Sequence, residues 1–567
     1  MLKRCLIFFC VLVVTVFYLG RCASNGPDDF DILLKNGLIV DGSGNPGIKA
    51  DLGITGDTIV EIGDLKKKSG VTTIDAEGLV ISPGFIDLHT HCDRGLGSVD
   101  SNANLNYLIQ GVTTVVTGMC GGSVSLKVAE IKNEWEEQGL GTNAVYLVGH
   151  GSIRRSVMGV EPREATPEEI EKMKEILRQA MTEGAWGIST GLEYIPGRYA
   201  NTEEVIAVTK IVGEFGGIYT SHMRNENEGI AEAINETIRI GEETGASVNV
   251  AHIKVTGRDN WGLMKDAVKL ISDARARGVS IAADQYPYLY GGPIGLLWSF
   301  PQIPENMEPL AEVRKKSRNR DLSDEESMEL RNLYVDELKK ALADKPKRDQ
   351  IKKMTVEGLP HDPSPVAMWG WHDFTILVAD KNSHLMGRNF TDLAAEQEKD
   401  LFDIIADLVI DEPDILYGSG SQSQEDHDLA LKQDWLMVSS DGGASAILKP
   451  EDKPRLGHPR PFGSQTRVLR KYVREEKILA LEEAVRKMSS LPASFLQMKD
   501  RGLLKKGYKA DIVVFNPDTV RDNATYSDSR KYATGVDYVI VGGKISVDKG
   551  QYEGALNGQV LLLTENK

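Results

Sequence analysis

The middle of this chain alternates short apolar runs, rich in β-branched residues, with longer amphipathic stretches. Helical text such as 167–182 and 227–244 separates runs at 113–116, 144–148, 187–189, 217–220, 247–250, 279–283 and 435–438. Alternation of this kind predicts βαβ units and a parallel sheet. About eight repeats over this length favour an α/β fold of the TIM-like (β/α)8 barrel type over an open sheet.

Both ends of the chain are β-rich in a different way. Residues 31–84 and 509–545 contain short strands split by Gly, Asn and Asp turns. We therefore expect a small β-sandwich domain formed from both chain ends, over 29–82 and 501–567, with the barrel over 83–500. The charged stretch at about 304–353 predicts a helical insertion, either a lid over the site or a plain solvated excursion.

The N-terminal segment has the parts of a secretory signal. Lys3 and Arg4 precede an apolar stretch at 6–19, and Gly20, Cys22 and Ala23 follow it. We expect a signal peptide over 1–23 and an exported protein, whether periplasmic, secreted or lipid-anchored through Cys22. Membrane anchorage through an uncleaved N-terminus is the alternative, although the stretch is short for a membrane span.

Charge and cysteine usage exclude some functional classes. Acidic residues (83) outnumber basic ones (66), and no basic stripe carries interleaved aromatics, so we expect no nucleic-acid partner. Of the five cysteines, Cys92 and Cys120 alone lie outside the signal-like segment, too few for a disulfide framework. They could pair with each other, but a metal thiolate is the better use of Cys120 if it lies among histidines.

Candidate metal ligands follow the ends of the predicted strands. They are His89, His91, Cys120, His222, His252 and Asp441. Side chains alternate along a strand, so the two histidines of the His-Thr-His element point the same way and form half of a zinc site. Taken singly, each has a structural explanation: a buried cysteine, a core histidine, or an aspartate in a turn. The same placement on several strands favours a metal-dependent hydrolase, because barrel active sites lie at the carboxyl ends of strands.

The chain resembles the D-aminoacylase (N-acyl-D-amino-acid deacylase) family of the amidohydrolase superfamily. The resemblance rests on the motifs at 84–91 (Gly-Phe-Ile-Asp-Leu-His-Thr-His), 111–121, 149–159, 189–197 (Ser-Thr-Gly-Leu-Glu-Tyr-Ile-Pro-Gly), 221–224, 251–257, 440–442 and 458–460 (His-Pro-Arg). The His-Thr-His element is shared across the superfamily. The cysteine at 120 and the Gly-Leu-x-Tyr-x-Pro-Gly run are more discriminating.

The resemblance implies roles for the matching residues. Cys120, His222 and His252 would hold one tightly bound zinc, and His89, His91 and Asp441 would border a second, weaker metal position. Asp441 would be the general acid and base. Substrate contacts would come from Arg460 and Tyr194, which hold the carboxylate of the amino-acid half, and from Tyr286.

Two departures from the family pattern border the expected substrate pocket. Gly292 stands where the family has a serine that contacts substrate, and Pro461 begins a run that replaces Trp-Gly-Thr-Phe-Pro.

We expect zinc-dependent hydrolysis of N-acyl-D-amino acids, small-molecule substrates, to a carboxylate and a D-amino acid. The alternatives are a cyclic-amide hydrolase of the dihydroorotase or hydantoinase kind, a dipeptidase, or a non-catalytic surface binding protein on the same scaffold. A cyclic-amide hydrolase would act on dihydroorotate or hydantoin and leave N-acetyl-D-amino acids intact. A binding protein would contain no zinc and hydrolyse nothing.

Overall fold

The computed structural model describes residues 29–299, 302–317, 323–358, 364, 366, 374–419 and 422–566. The expected signal peptide, with Cys22, lies outside these residues. Among the helices that are described, none combines the length and the apolar character needed to cross a bilayer.

Two ladders of parallel strands form the centre of the fold. One contains Phe85–Asp87, Val112–Thr117 and Asn143–Tyr146, and the other Val148–Gly149, Gly187–Gly191, Ile218–His222, Ser247–Val250, Ile281–Gln285 and Leu436–Val438. Every residue of Val112–Thr117 and of Gly187–Gly191 is buried, as expected for parallel strands covered on both faces.

Backbone hydrogen bonds connect the outer strands of the two ladders. Asn143–Tyr146 and Val148–Gly149 are separated only by Leu147. At the other edges, the Asp441 N–H donates to the His89 carbonyl at 2.9 Å, and the His91 N–H donates to the Gly442 carbonyl at 2.7 Å. The two ladders therefore follow one another directly along the chain at Leu147, and the segments that follow Phe85–Asp87 and Leu436–Val438 are hydrogen-bonded to each other.

Helices lie between and after the parallel strands, as the sequence predicts. They are Asp93–Leu96, Leu105–Leu108, Val128–Gln138, His150–Met158, Pro167–Thr182, Thr202–Phe215, Ile230–Thr244, Met264–Ala276, Gln424–Leu431, Arg460–Arg467, Leu481–Met488 and Ser490–Phe495, with a π-helical segment at Val468–Glu475 and short 3-10 turns at Gly197–Tyr199 and Arg258–Asn260. Pro167–Thr182 has the predicted bounds because Thr166 and Glu169 form a capping box and proline occupies its first turn.

A nine-stranded sheet joins the two ends of the chain and is called the terminal sheet below. Its strands are Phe30–Ile39, Ile48–Thr55, Thr58–Gly63, Gly70–Asp75, Val80–Pro83, Ile512–Phe515, Val536–Val541, Lys544–Asp548 and Gln551–Tyr552. Val80–Pro83 pairs antiparallel with Ile512–Phe515 and so links the two ends.

The last strand of the described chain lies outside the terminal sheet. Val560–Leu561 pairs in parallel with Asn143–Tyr146, so it belongs to the first parallel ladder. The 3-10 turn Leu563–Glu565 follows it. The expectation that 501–567 lies wholly in the small domain is therefore wrong for these residues, because a two-residue strand carries too little pattern to reveal its partner.

The excursion between the last two parallel strands is larger than the helical insertion expected at 304–353. It contains an antiparallel sheet of Gly292–Gly295, Thr375–Val378 and Leu416–Ser419, the helices Leu296–Ser299, Leu310–Lys316, Asp324–Ala343, Lys345–Glu357, Phe390–Glu396 and Leu401–Asp411, and the 3-10 turn Ser383–Leu385. Buried residues such as Leu338, Phe374 and Ile405 give it a hydrophobic core of its own. We call 292–419 the inserted subdomain. Its strands are four residues long, too short to stand out beside the charged helices.

Candidate metal centre and substrate cavity

The predicted ligands converge because parallel strands end at one edge. His222 is the last residue of its strand, and His89, Cys120, His252 and Asp441 follow theirs by two or three residues. Cys120, His252 and Asp441 have positive φ angles of 53°, 34° and 51°. Non-glycine residues rarely adopt this conformation, and such strain concentrates at functional sites.

One donor set consists of a thiol and two imidazoles. Cys120 Sγ lies 3.9 Å from His222 Nδ1 and 3.7 Å from His252 Nε2, and these two nitrogens are 2.8 Å apart. A tetrahedral zinc ion separates its ligand atoms by roughly 3.3 to 3.6 Å. Sulfur and imidazole nitrogen are donors that zinc prefers. The three residues therefore fit a zinc ion in donor chemistry, while their mutual distances lie on either side of the tetrahedral separation, one shorter and two longer.

A second donor set shares Cys120. His89 Nε2 lies 3.4 Å from Cys120 Sγ and 3.5 Å from Asp441 Oδ1, and His91 Nε2 lies 3.0 Å from the same oxygen. These four residues could hold a cation beside the first position.

The charges of the site favour the ligating form of Cys120 and the ionised form of Asp441. Burial raises the pKa of the Cys120 thiol, but the charge of His89 and hydrogen bonds from His222 and His252 hold that pKa well below its usual range. Burial likewise raises the pKa of Asp441, and the guanidinium of Arg460, first among several cationic neighbours, holds it well below the usual range.

Three carboxylates lie behind the imidazoles, two of them buried (Glu226 and Asp284) and one partly buried (Glu193), and no role was assigned to them from sequence. Glu193 Oε2 is 2.9 Å from His222 Nε2, and Glu226 Oε1 is 3.0 Å from His252 Nδ1. Asp284 Oδ1 is 3.4 Å from His89 Nδ1 and accepts a hydrogen bond from the His252 N–H at 3.0 Å. The signal for two of them was present, because Glu193 lies within the Gly-Leu-Glu-Tyr motif and Asp284 ends a predicted strand.

A cavity of about 310 Å³ opens beside the donor atoms. The predicted site residues that line it are His91, Cys120, Tyr194, His222, His252, Tyr286, Asp441 and Arg460. His89 does not line it but is fully buried behind Cys120. The structure thus brings every predicted site residue to one place. The inserted subdomain also contributes to the lining through Gly292, Ile294 and Ser419, together with the preceding Gly291.

Arg460 is held firmly in the cavity wall. Its Nη1 lies 2.8 Å from Asp441 Oδ2 and 2.7 Å from the Gly291 carbonyl oxygen. His458 Nδ1 accepts a hydrogen bond from the Arg460 N–H at 3.1 Å, and His458 Nε2 lies 3.1 Å from the Tyr290 carbonyl oxygen. The His-Pro-Arg motif therefore fixes the arginine by using both nitrogens of its histidine.

Two tyrosines complete the wall near this arginine. The Tyr286 ring lies 5.2 Å from the Arg460 guanidinium carbon and 5.9 Å from Lys254 Nζ. Its hydroxyl is buried and has no hydrogen-bond partner among the described residues. Tyr194 is 42 % exposed and its ring lies 4.4 Å from that of His222. A buried hydroxyl beside two cations is suited to receive an anionic group.

Comparisons with known proteins identify the relatives of this chain. The amidohydrolase family model matches residues 72–323 and 452–547, more than half of the chain. D-aminoacylase of Alcaligenes xylosoxydans xylosoxydans is 33% identical over 566 residues, which cover 94% of this chain and 98% of that protein.

Two solved structures show the same fold. A D-aminoacylase with a binuclear metal centre has a TM-score of 0.70 and 31% identity, covering 94% of this chain and 100% of its own. N-acyl-D-glutamate deacylase of Bordetella bronchiseptica, complexed with zinc and a phosphonate inhibitor, has a TM-score of 0.69 and 28% identity, covering 94% and 99%. This chain therefore belongs to the amidohydrolase family and, within it, to the D-aminoacylase family.

Proposed function

We propose that this protein is a zinc-dependent amidohydrolase that cleaves N-acyl-D-amino acids into a carboxylate and a free D-amino acid. The observation that carries the proposal is the set of Cys120, His222 and His252, which opens onto a cavity with a guanidinium in its wall. Two relatives, D-aminoacylase and N-acyl-D-glutamate deacylase, are named for their action on such substrates.

In this mechanism, Cys120, His222 and His252 would hold one tightly bound zinc ion. Zinc held there supplies Lewis-acid activation of the scissile carbonyl and of the attacking water. Asp441 would accept one proton of the attacking water through its carboxylate as the water oxygen bonds to the carbonyl carbon. It would then return that proton to the amide nitrogen as the C–N bond breaks, which releases the carboxylate and the free amine. The guanidinium of Arg460 holds the pKa of Asp441 low, so the carboxylate is ionised before substrate binds. His89, His91 and Asp441 border a second, weaker metal position.

Substrate is held through its carboxylate. Arg460 offers the planar fork of donors that suits a carboxylate. Tyr286 adds a buried hydroxyl that has no protein partner among the described residues. Tyr194 stands partly exposed against the His222 ring and also lines the cavity. Gly292 adds no side chain, so the hydroxyl that the family supplies at this position is absent.

The test is a stereochemical panel with defined metal content. Protein stripped by a chelator and reloaded with zinc is assayed on N-acetyl-D- and N-acetyl-L-amino acids, on dihydroorotate and on hydantoin. We expect hydrolysis of the D series alone, lost on stripping and restored by zinc. Zinc-loaded protein that cleaves only the cyclic amides would overturn the substrate assignment, and protein that binds no zinc and cleaves nothing would overturn the activity.

The role of Asp441 is tested by Asp441→Asn, with Asp51→Asn as the matched control. We expect turnover to fall by about 10²- to 10⁴-fold in Asp441→Asn while zinc is retained. Asp51 is also buried, but it accepts backbone hydrogen bonds from Asn36 and Leu65 in the terminal sheet. Its variant should lose stability and keep its turnover number.

The architecture proposed for this site is a closed (β/α)8 barrel joined to a β-sandwich domain. Support comes from the hydrogen bonds between 89–91 and 441–442, which link the outer strands of the two ladders. The barrel boundaries 83–500 stay a prediction. Export is also a proposal, either as a periplasmic or secreted protein or with the N-terminus anchored in a membrane; it rests on residues 1–23.

A further inference from the structure

We propose that Glu226 and Glu193 are positioning residues of the zinc site, which select the ring tautomers of His252 and His222 that leave a lone pair for the metal. The inference rests on the proposed zinc site but concerns residues that do not contact the ion. Its basis is the pattern of donors and acceptors around the outer nitrogen of each ring.

His252 has two competing neighbours on its outer side. Its Nδ1 lies 3.0 Å from Glu226 Oε1 and 2.9 Å from Lys254 Nζ. An ammonium can only donate hydrogen bonds, whereas an ionised carboxylate can only accept them. The Nδ1–H tautomer of His252 must therefore donate to Glu226, and the Nε2–H tautomer must accept from Lys254.

Only one of these two tautomers can bind a metal at the shared point. The atom of His252 that faces Cys120 Sγ and His222 Nδ1 is Nε2. If Lys254 donates to Nδ1, the proton lies on Nε2 and occupies the lone pair that a metal needs. If Glu226 accepts from Nδ1, that lone pair is free. Glu226 thus favours the ligating form, and Lys254 favours the form that cannot ligate.

The surroundings favour Glu226 over Lys254 as the hydrogen-bond partner of His252 Nδ1. Lys254 Nζ lies 2.6 Å from Glu226 Oε2 and donates to the His252 carbonyl oxygen at 3.2 Å, so its protons have other acceptors. Both side chains are about 8% exposed. Water therefore competes little with Glu226 as an acceptor, and in a site of low dielectric each hydrogen bond weighs more.

Glu193 makes the same arrangement at His222. Its Oε2 lies 2.9 Å from His222 Nε2, while His222 Nδ1 faces Cys120 and His252. Acceptance of the Nε2 proton leaves Nδ1 free for the metal. Carboxylates placed in this way behind ligating histidines typically account for 10- to 100-fold in metal affinity.

The test measures zinc affinity by chelator competition on purified apo-protein, with the intensity of the cobalt-substituted absorption bands as a second readout. We expect Glu226→Leu and Glu193→Leu each to weaken zinc binding by about 10- to 100-fold. Glu226→Gln and Glu193→Gln keep an acceptor oxygen, so we expect them to stay within about fivefold of wild type. Glu236→Leu is the control, because Glu236 pairs with Arg224 at 2.9 Å.

A double variant separates tautomer selection from general damage. In Glu226→Leu, Lys254 is free to donate to His252 Nδ1, so Glu226→Leu/Lys254→Met should recover at least half of the lost affinity on a logarithmic scale. Zinc affinity of Glu226→Leu equal to wild type, a Gln variant as weak as its Leu counterpart, or a double variant no better than the single one would overturn the inference. Failure of the wild type to bind zinc would instead overturn the proposed function.

Discussion

The buried hydroxyl of Tyr286 leads to a prediction with opposite effects on stability and on catalysis. Tyr286 is 1% exposed, and its hydroxyl has no hydrogen-bond partner among the described residues. A buried hydroxyl without a partner costs about 1 to 3 kcal/mol. Tyr286→Phe removes that cost in the free protein, so its free energy of unfolding should stay unchanged or rise by about 1 kcal/mol.

Catalysis should respond in the other direction. A hydrogen bond from the hydroxyl to a substrate carboxylate is worth about 1.5 to 3 kcal/mol. Each 1.36 kcal/mol corresponds to about tenfold in rate, so kcat/KM should fall by roughly 10- to 150-fold in Tyr286→Phe. Steady-state kinetics on N-acetyl-D-amino acids and thermal unfolding of the same preparation measure both quantities.

Tyr219→Phe is the matched control. Tyr219 is fully buried as well, but its hydroxyl lies 2.8 Å from Thr190 Oγ1. Its loss should lower the free energy of unfolding by about 0.5 to 1.5 kcal/mol. The reasoning is refuted if Tyr286→Phe loses as much stability as Tyr219→Phe and keeps the wild-type kcat/KM.

Three further predictions concern stability, each measured from unfolding curves. Gly118 has a φ of +80°, and an added Cβ would lie 1.9 Å from a backbone oxygen. Gly118→Ala should therefore lower the free energy of unfolding by roughly 3 to 5 kcal/mol, against about 1 kcal/mol for Gly159→Ala, where nothing obstructs the added Cβ. Equal losses of stability in the two variants would contradict the steric argument. Thr166→Ala should cost about 1 kcal/mol because it removes the N-cap of its helix, and an unchanged unfolding midpoint would contradict this. Burial lowers the pKa of Lys487 from 10.5 to about 8, so the unfolded chain binds this proton more tightly than the folded protein does. The free energy of unfolding of the wild type should therefore rise by roughly 3 kcal/mol as the pH rises from about 8 to 10.5. Lys487→Met should abolish that gain, and parallel pH profiles for the two proteins would contradict the prediction.

The convergence of the ligands could be predicted from sequence because it depends on a repeated local rule. Residues at the carboxyl ends of neighbouring parallel strands must come together. The positions of His89, His222 and His252 after apolar runs were therefore sufficient to predict that these side chains lie close to one another. The different surroundings of the two cysteines could be distinguished only from the tertiary structure. Cys92 is buried with its Sγ 3.8 Å from Asn104, whereas Cys120 lies among the histidines.

The groups behind the ligands could not be predicted in the same way. Glu226 follows its strand by four residues and Lys254 by four, in loops that carry no hydrophobic period. Their meeting at His252 depends on how two loops cross. The strands of the inserted subdomain were missed for another reason. Leu416–Ser419 pairs on both sides with strands distant along the chain, and four residues are too few to establish an alternating pattern.

The pairing of Val560–Leu561 with Asn143–Tyr146 has a consequence for biosynthesis. The Leu561 carbonyl accepts a hydrogen bond from the Trp186 indole at 2.6 Å, so the segment also fastens a second part of the central ladders. A ribosome that adds about 5 to 20 residues per second needs roughly 20 to 80 s to proceed from residue 146 to residue 561. During that interval the edge at Asn143–Tyr146 has no native partner at its start. The nascent protein therefore completes its hydrogen bonding only after elongation has reached this point, and holdase chaperones have the whole of that time to engage it.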